Sequence, residues 1–192
     1  MTTITLNLKP LFTLDDEAFE QLCHHNPEMR LERASTGELI ALAPVGSESG
    51  YYNLNLSGQL WLWSQQTQLG VAFDSSAGFT LPNGAIRSPD ASWIRQARWD
   101  QLTSQQKRKF APICPDFVLE LMSPSDELAA IQGKLEEYRE NGAGLGWLID
   151  PESQQVHIYR SSQPTQILEH PNTLSGEEIL PGFAMSLVVI WP

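Results

Sequence analysis

The spacing of apolar residues changes along this chain, and each change marks a different element. Residues 47–68 carry apolar side chains at helical spacing, which predicts a long helix packed on a sheet. Residues 117–122 are apolar on both faces apart from Glu120, which predicts a central strand covered by helices. A second helical stripe, over residues 126–141, follows that strand directly. The pattern therefore predicts a mixed α/β protein.

Shorter extended segments surround these elements. Gly37 lies between two short apolar runs in residues 31–42, which predicts a hairpin. Residues 70–94 contain several short strand-like runs. Pro89 interrupts the last of these runs, so this position is predicted to lie at an edge, at a bulge or at the start of a strand.

Length and composition predict one globular domain. The chain has 192 residues, of which 41% are hydrophobic and 18% are charged, as is typical of a folded protein. It has no repeat or long linker, so we predict a single domain over residues 1–192. In this prediction residues 1–30 form an N-terminal extension, with a short helix from a capping box at Thr13 to about Leu22.

Cysteine content and hydropathy indicate in which cellular compartment the protein is expected. Cys23 and Cys114 are the only cysteines and lack CxxC spacing, so we expect neither a disulfide framework nor a structural zinc site. The first residues lack the basic segment and apolar core of a secretory signal. No apolar run approaches the roughly 20 residues that cross a bilayer. We therefore expect a cytoplasmic protein with no membrane partner.

The charge balance argues against a nucleic-acid partner. The formal net charge is −11, whereas phosphate neutralisation by Lys and Arg supplies much of the affinity of DNA-binding proteins. A cluster of basic residues nevertheless lies within residues 87–109: Arg87, Arg95, Arg98, Lys107, Arg108 and Lys109. A solvated loop is the simpler interpretation of this cluster, and a basic rim for phosphate is the alternative.

Two acidic residues interrupt apolar runs. An acid in an apolar strand is costly unless it is paired, protonated or bound to a metal. If the strands that carry Asp90 and Glu120 lie side by side, the two carboxylates meet as oxygen ligands for a hard divalent cation. Asp116 is a weaker candidate, because about 13 Å of strand separates it from Glu120 at about 3.3 Å per residue.

Lys134 is the candidate third member of this site. It flanks the apolar stripe of the predicted helix over residues 126–141, and its aliphatic stem can carry the ammonium towards Glu120. A metal held by two carboxylates acidifies a bound water, and a lysine orients that water or stabilises charge at phosphorus. The three residues therefore suit the hydrolysis of a phosphodiester.

A series of motifs occurs in a specific order from about Leu31 to the end of the chain. The motifs are SPDASW at 88–93, PDFVLELMSPS at 115–125, Lys134 with Tyr138, Gly142, WLIDP at 147–151 and LPGF at 180–183. This series resembles the Uma-two family, a group of endonuclease-like proteins of the restriction-endonuclease-like, PD-(D/E)xK class.

The resemblance implies a restriction-endonuclease-like fold of the α/β (α+β) class, with a mixed central β-sheet flanked by helices. It implies an endonuclease that hydrolyses DNA with Mg²⁺ or Mn²⁺. Asp90 and Glu120 would be catalytic metal ligands and Lys134 the catalytic amine. Glu32 and Glu48 are possible additional acids near the metal. A homodimer is a plausible assembly, since two symmetric sites suit a two-strand cut.

Met122 departs from the family pattern, which places a lysine two residues after the motif acid. Lys134, on the following helix, is the expected replacement. Two alternative functions stay open: a catalytically inactive binding or interaction module with the same fold, and a metal-dependent phosphohydrolase that acts on small molecules. The sequence does not determine a DNA target, because base readout depends on side chains that the fold positions.

Overall fold

The computed structural model describes residues 4–9 and 11–191 of the chain. The strands are β1 (Ile4–Leu6), β2 (Arg30–Arg33), β3 (Leu39–Leu42), β4 (Gly70–Asp74), β5 (Phe79–Thr80), β6 (Ile86–Arg87), β7 (Ala91–Arg95), β8 (Phe117–Leu121), β9 (Leu145–Asp150), β10 (Gln155–Arg160), β11 (Gln166–Glu169), β12 (Thr173–Ser175) and β13 (Ala184–Ser186). The helices are α1 (Asp16–His25), α2 (Ser47–Thr67), α3 (Gln96–Trp99), α4 (Ser104–Lys107) and α5 (Leu128–Glu140). Across these described residues, no helix combines the length and the apolar character needed to span a membrane.

The larger sheet has six strands in the order β11-β10-β9-β8-β7-β4. β8 and β9 run parallel, and the other neighbours in this sheet are antiparallel. All five residues of β8 are buried, as expected from its apolar pattern. The prediction of a mixed central sheet is confirmed.

Helices cover both faces of this sheet. α2 packs on one face through Leu56 and Trp63, in the layer that also contains β12 and β13. α5 packs on the other face through Leu135 and Tyr138. Successive side chains of a strand point to opposite faces, so alternate residues of β8 contact the two layers. Glu120 consequently faces α5.

The smaller sheet has the order β1-β3-β2-β6-β5, and α1 packs against it. β2 and β3 form the predicted hairpin. α1 differs from its prediction, because its N-cap is Asp15, whose side chain accepts a hydrogen bond from the N–H of Ala18 at 2.8 Å. Aspartate caps a helix at least as well as threonine, so the start at Thr13 was wrong. The helix also continues to His25, beyond the predicted end.

A short link at Pro89 joins the two sheets. The apolar run over residues 86–94 forms two strands, β6 in the small sheet and β7 in the central sheet. Proline lacks the N–H that a sheet ladder needs, so the interruption falls at this residue and β7 starts just after it. The link carries Asp90 to the junction of the two sheets.

Candidate functional site

Asp90 lies at the junction of the two sheets, opposite Glu120. The antiparallel register of β7 and β8 pairs Ala91 with Leu119, and one further step brings Asp90 against Glu120. Oδ2 of Asp90 accepts a hydrogen bond from the N–H of Leu121 at 2.9 Å. The structure therefore brings together the two acids that interrupt the apolar runs.

The other oxygen of Asp90 is held by α2. Nδ2 of Asn53 donates a hydrogen bond to Oδ1 of Asp90 at 3.2 Å. Asn53 was not among the residues predicted for the site. Its only signal was an amide side chain next to Tyr52, within the stripe of α2 predicted to face the sheet.

Glu120 contacts two side chains of α5. Oε1 of Glu120 lies 2.9 Å from Nζ of Lys134 and accepts a hydrogen bond from the hydroxyl of Tyr138 at 3.2 Å. Lys134 and Tyr138 are four residues apart, so they lie on the same side of the helix. Lys134 thus lies beside Glu120, as predicted. Tyr138 also contacts Glu120, and we call the group of side chains around Glu120 and Lys134 the acid cluster.

Glu32 brings a third carboxylate to the same lysine. Its Oε1 lies 2.9 Å from Nζ of Lys134 and accepts a hydrogen bond from the N–H of Ser88 at 2.9 Å. Its side chain is only 2% exposed. β2 therefore contributes an acid from the small sheet to the cluster in the central sheet.

Arg87 completes the cluster on the side of the small sheet. Its NH1 lies 3.2 Å from Oε2 of Glu32, and its Nε lies 2.6 Å from Oε2 of Glu137 on α5. Arg87 was predicted to belong to a cluster of basic residues in a solvated loop or a basic rim. Its side chain is instead mostly buried and paired, because β6 directs it towards the α5 layer.

Glu48 does not join the cluster. It is exposed in the first turn of α2, where its Oε1 accepts a hydrogen bond from the hydroxyl of Tyr52 at 3.2 Å. Both Glu32 and Glu48 were possible additional acids, and the structure brings only Glu32 to the lysine.

The predicted basic rim is partly neutralised. NH1 of Arg98 pairs with Oδ1 of Asp116 at 3.0 Å, and Nζ of Lys109 pairs with Oε2 of Glu20 at 2.6 Å. Oδ2 of Asp116 also accepts a hydrogen bond from the backbone N–H of Arg95 at 2.9 Å. Asp116 thus has a structural role at the end of β7, away from Glu120.

Negative charge exceeds positive charge inside the cluster. Its four acids and two cations are Glu32, Asp90, Glu120 and Glu137 with Arg87 and Lys134. If all six were ionised, two negative charges would be left without a compensating cation. Such an excess in a buried place favours protonation of the least compensated acids or binding of a cation.

The pKa values of the acids reflect this excess. Burial raises the pKa of Glu120 to about 8, Lys134 opposes the rise, and the carboxylates of Asp90 and Glu32 add to it. Burial also raises the pKa of Asp90, although the N–H of Leu121 favours its ionised form. Within the described part of the chain, the hydrogen bond from Tyr138 and the contact with Lys134 both fall on Oε1 of Glu120, and no hydrogen bond ends on its Oε2.

The pKa of Glu32 is shifted in the opposite direction to the pKa values of Asp90 and Glu120. Burial alone would raise its pKa, but Lys134, Arg87 and the N–H of Ser88 together hold the pKa of Glu32 below its usual value. Glu32 is therefore the permanent counterion of Lys134. Asp90 and Glu120 remain as the acids that lack full compensation.

Asp90 and Glu120 fit a divalent cation by chemistry and by charge. Carboxylate oxygens are the ligands that Mg²⁺ prefers, and this ion commonly binds through one or two carboxylates with water and substrate phosphate completing its shell. Among residues 4–9 and 11–191, no group of three or more His, Cys, Asp or Glu side chains is arranged around one metal position. A cation bound here would therefore have two protein carboxylates as its donors.

Two cavities lie elsewhere in the molecule. One, of about 490 Å³, is lined by aromatic side chains that include Phe73, Trp99 and Phe110. The other, of about 560 Å³, lies beside the N-terminus of α1 and includes Arg33. Neither cavity is lined by Asp90, Glu120 or Lys134, so neither encloses the acid cluster.

Comparisons with known proteins agree with this architecture. The model of the Uma2 family, described as "Putative restriction endonuclease", matches residues 16–188. A crystal structure described as a "putative nuclease belonging to DUF820" from Anabaena variabilis ATCC 29413 matches with a TM-score of 0.71 and 19% sequence identity, over 85% of this chain and 90% of that chain. No curated protein matches the chain. The predicted restriction-endonuclease-like fold is confirmed.

Proposed function

The chain belongs to the Uma2 family, and we propose that it is a metal-dependent endonuclease that hydrolyses phosphodiester bonds of DNA. One observation carries the proposal: Asp90, just before β7, lies opposite Glu120 on the paired strand β8, with the Lys134 ammonium 2.9 Å from Glu120. Two acids and an amine at one place are the groups that hydrolysis of a phosphodiester requires.

Asp90 and Glu120 would hold Mg²⁺ or Mn²⁺. When bound, such an ion would acidify a water molecule and polarise the phosphate that is cleaved. The neighbours of the two acids support this role, because Asn53 and the N–H of Leu121 fix the orientation of Asp90. The hydroxyl of Tyr138 fixes Oε1 of Glu120 and leaves Oε2 available.

Lys134 would act as a fixed positive charge. Burial alone would lower its pKa, but Glu120 and Glu32 raise the pKa of Lys134 above its ordinary value. The amine therefore stays protonated at neutral pH and suits stabilisation of negative charge on a phosphoryl oxygen better than proton abstraction. Its two carboxylate partners hold the ammonium at the edge of the metal position.

Met122 occupies the position at which the family pattern has its lysine. Its N–H donates to the carbonyl of Ile149 at 2.9 Å, and its side chain packs with the apolar layer beneath α5. A methionine there cannot donate a charged hydrogen bond. The cluster nevertheless contains one ammonium, which comes from the next helix.

A phosphohydrolase that acts on small molecules is a second candidate. The net charge of −11 and the ion pairs of Arg98 and Lys109 favour it, because they leave less positive surface for a DNA backbone. The family match favours DNA instead, because the Uma2 model is described as "Putative restriction endonuclease".

The test is nicking of supercoiled plasmid DNA in Mg²⁺ or Mn²⁺ by the purified protein. Asp90→Asn, Glu120→Gln and Lys134→Met should each reduce the rate by about 100-fold or more, because each removes a group that acts on the reacting phosphate. Glu48→Gln is the matched control and should retain the wild-type rate, because this exposed acid lies outside the cluster.

Three results discriminate the functions. Nicking that persists in Asp90→Asn and Glu120→Gln would contradict the proposed site. Hydrolysis of bis(p-nitrophenyl) phosphate without DNA cleavage would favour the phosphohydrolase. A folded protein that binds Mn²⁺ through the two acids but cleaves neither substrate would favour the inactive module, in line with Met122.

A further inference from the structure

Most of α2 lies in a long segment of the sequence that has no charged residue, although the protein as a whole is acidic. After Glu48, the next charged residue along the chain is Asp74, although 18% of all residues are charged. α2 occupies most of this stretch. A surface helix normally carries charged or polar residues on its solvent side, so an uncharged helix requires an explanation.

Large apolar side chains occupy the solvent side of α2. Tyr51, Leu54, Trp61 and Leu62 are 56%, 72%, 55% and 51% exposed. At 100° per residue these four positions fall within a stripe about 100° wide, on the side of the helix opposite Leu56 and the rest of its buried face. α2 therefore has two apolar faces, and the protein's own core covers only one of them.

The exposed stripe matches the core of a protein interface in size. Large side chains present roughly 150–250 Å² each, so four that are more than half exposed offer about 400 Å² of mostly apolar surface. A stable interface buries about 800 Å² per partner, of which more than half is apolar. The uncharged side chains of Asn55 and Gln65, which flank the stripe, can supply part of the polar remainder.

The stripe is also self-complementary. Gly58 lies at its middle, and a Cβ added there would meet no heavy atom within 4 Å, so the position is open. If two copies of α2 cross antiparallel at Gly58, Leu54 of one copy lies opposite Leu62 of the other. In such a contact the same surface of both copies is used, so the assembly is complete with two copies, as for any interface with two-fold symmetry.

We propose that this protein forms a homodimer through the outer face of α2, with the two-fold axis at Gly58. Charge favours a second copy over another partner. Two chains of net charge −11 repel each other wherever acids meet, and this face brings no charged side chain into the contact. A basic partner would instead be drawn to the acidic surfaces. The dimer does not rest on the proposed nuclease activity, although Asn53 connects the same helix to Asp90.

Sedimentation velocity of the full chain, without metal or DNA, tests the dimer. The wild type should sediment as twice 21.5 kDa at micromolar concentration and dissociate on dilution. Leu54→Glu and Leu62→Glu should each weaken the dimer by about 100-fold or more, because the symmetry buries two carboxylates in one contact. Ile167→Glu is the matched control, since Ile167 on β11 is also 51% exposed. It should leave the dimer unchanged.

A cross-link gives a second readout that does not depend on destabilising variants. Gly58→Cys in a Cys23→Ser background should form an intermolecular disulfide on mild oxidation, because residues at a two-fold axis approach within the 4.4–6.8 Å between Cα atoms that a disulfide requires. Gly133→Cys, at another open helical glycine on α5, should not form one.

Two results would overturn the proposal. One is a wild type that stays monomeric up to its solubility limit in sedimentation velocity. A monomer that instead binds phospholipid vesicles in a flotation assay belongs to the same result. The other is a dimer that survives Leu54→Glu and Leu62→Glu but dissociates in Ile167→Glu, which would transfer the interface to the β11 edge.

Discussion

Nζ of Lys134 lies 2.9 Å from Oε1 of Glu120 and 2.9 Å from Oε1 of Glu32, so one ammonium joins acids from two different sheets. The two acids respond oppositely to their surroundings. The pKa of Glu32 is held below its usual value, whereas burial raises the pKa of Glu120 to about 8. Glu120 is thereby the less compensated of the two acids, and a cation beside it would favour its ionised form.

The raised pKa of Glu120 makes folding depend on pH. A carboxyl that binds its proton more tightly in the folded state contributes stability that is fully present below about pH 4.5 and is lost as pH rises through about 8. Glu120→Gln is neutral at every pH and lacks this dependence. We expect the free energy of unfolding of the wild type to fall relative to Glu120→Gln by up to about 1.4 kcal/mol per pH unit in this window. Urea titrations from pH 5 to 9 without metal measure the difference.

Lys134→Met should destabilise the protein, and more so at high pH. Removing one partner of a buried ion pair costs about 3 kcal/mol when its counterion stays charged, and less when that counterion takes up a proton. Glu120 is protonated at pH 6 but increasingly ionised above pH 8. The loss of unfolding free energy should therefore be smaller at pH 6 than at pH 9. The double variant Lys134→Met/Glu120→Gln should regain part of the loss at pH 9, whereas equal losses at both pH values would contradict the pairing.

Two substitutions of Asp90 separate its structural role from its charge. Asp90→Asn keeps an oxygen for the N–H of Leu121 but loses the acceptor of the Asn53 amide, so it should cost about 1 kcal/mol. Asp90→Ala leaves that buried N–H without its acceptor and should cost about 1–3 kcal/mol. Thermal unfolding of both variants without metal gives the comparison. Similar stabilities would mean that the Leu121 hydrogen bond contributes little.

Mn²⁺ should raise the melting temperature of the wild type, because a ligand that binds only the folded state stabilises it. Asp90→Asn and Glu120→Gln should each remove this shift. Glu48→Gln should keep it, since Glu48 contacts only Tyr52 in this region. A shift that survives in Glu120→Gln would locate the metal elsewhere in the molecule.

Asp90 and Glu120 could be identified as candidates because each departs from a local rule, although their meeting depended on the pairing of β7 with β8. A carboxylate inside an apolar strand is visible in the sequence, and Pro89 marks where a ladder is interrupted. Lys134 could be predicted for a similar reason, since its position beside an apolar helical stripe directs its stem towards the sheet. The long helix over residues 47–67 also followed from its periodicity.

Other members of the site could not be identified in this way. Glu32 and Glu48 are both acids near short apolar segments, and nothing local distinguishes the buried one from the exposed one. Arg87 looked like part of a surface cluster, yet it pairs with Glu32 and Glu137. These outcomes depend on which strands become neighbours, which is a long-range property of the chain.

The mixed α/β class, the two acids beside apolar runs and the lysine on the following helix could be read from the sequence, because side-chain periodicity and the cost of burying charge act within short segments. The tertiary packing determined that β7 and β8 are neighbours, which further acid joins the lysine, where Arg87 pairs and how Asn53 reaches Asp90. It also decided that one face of α2 stays uncovered. Those contacts form between elements far apart in the chain, so their partners are selected by the packing of two sheets and not by local spacing.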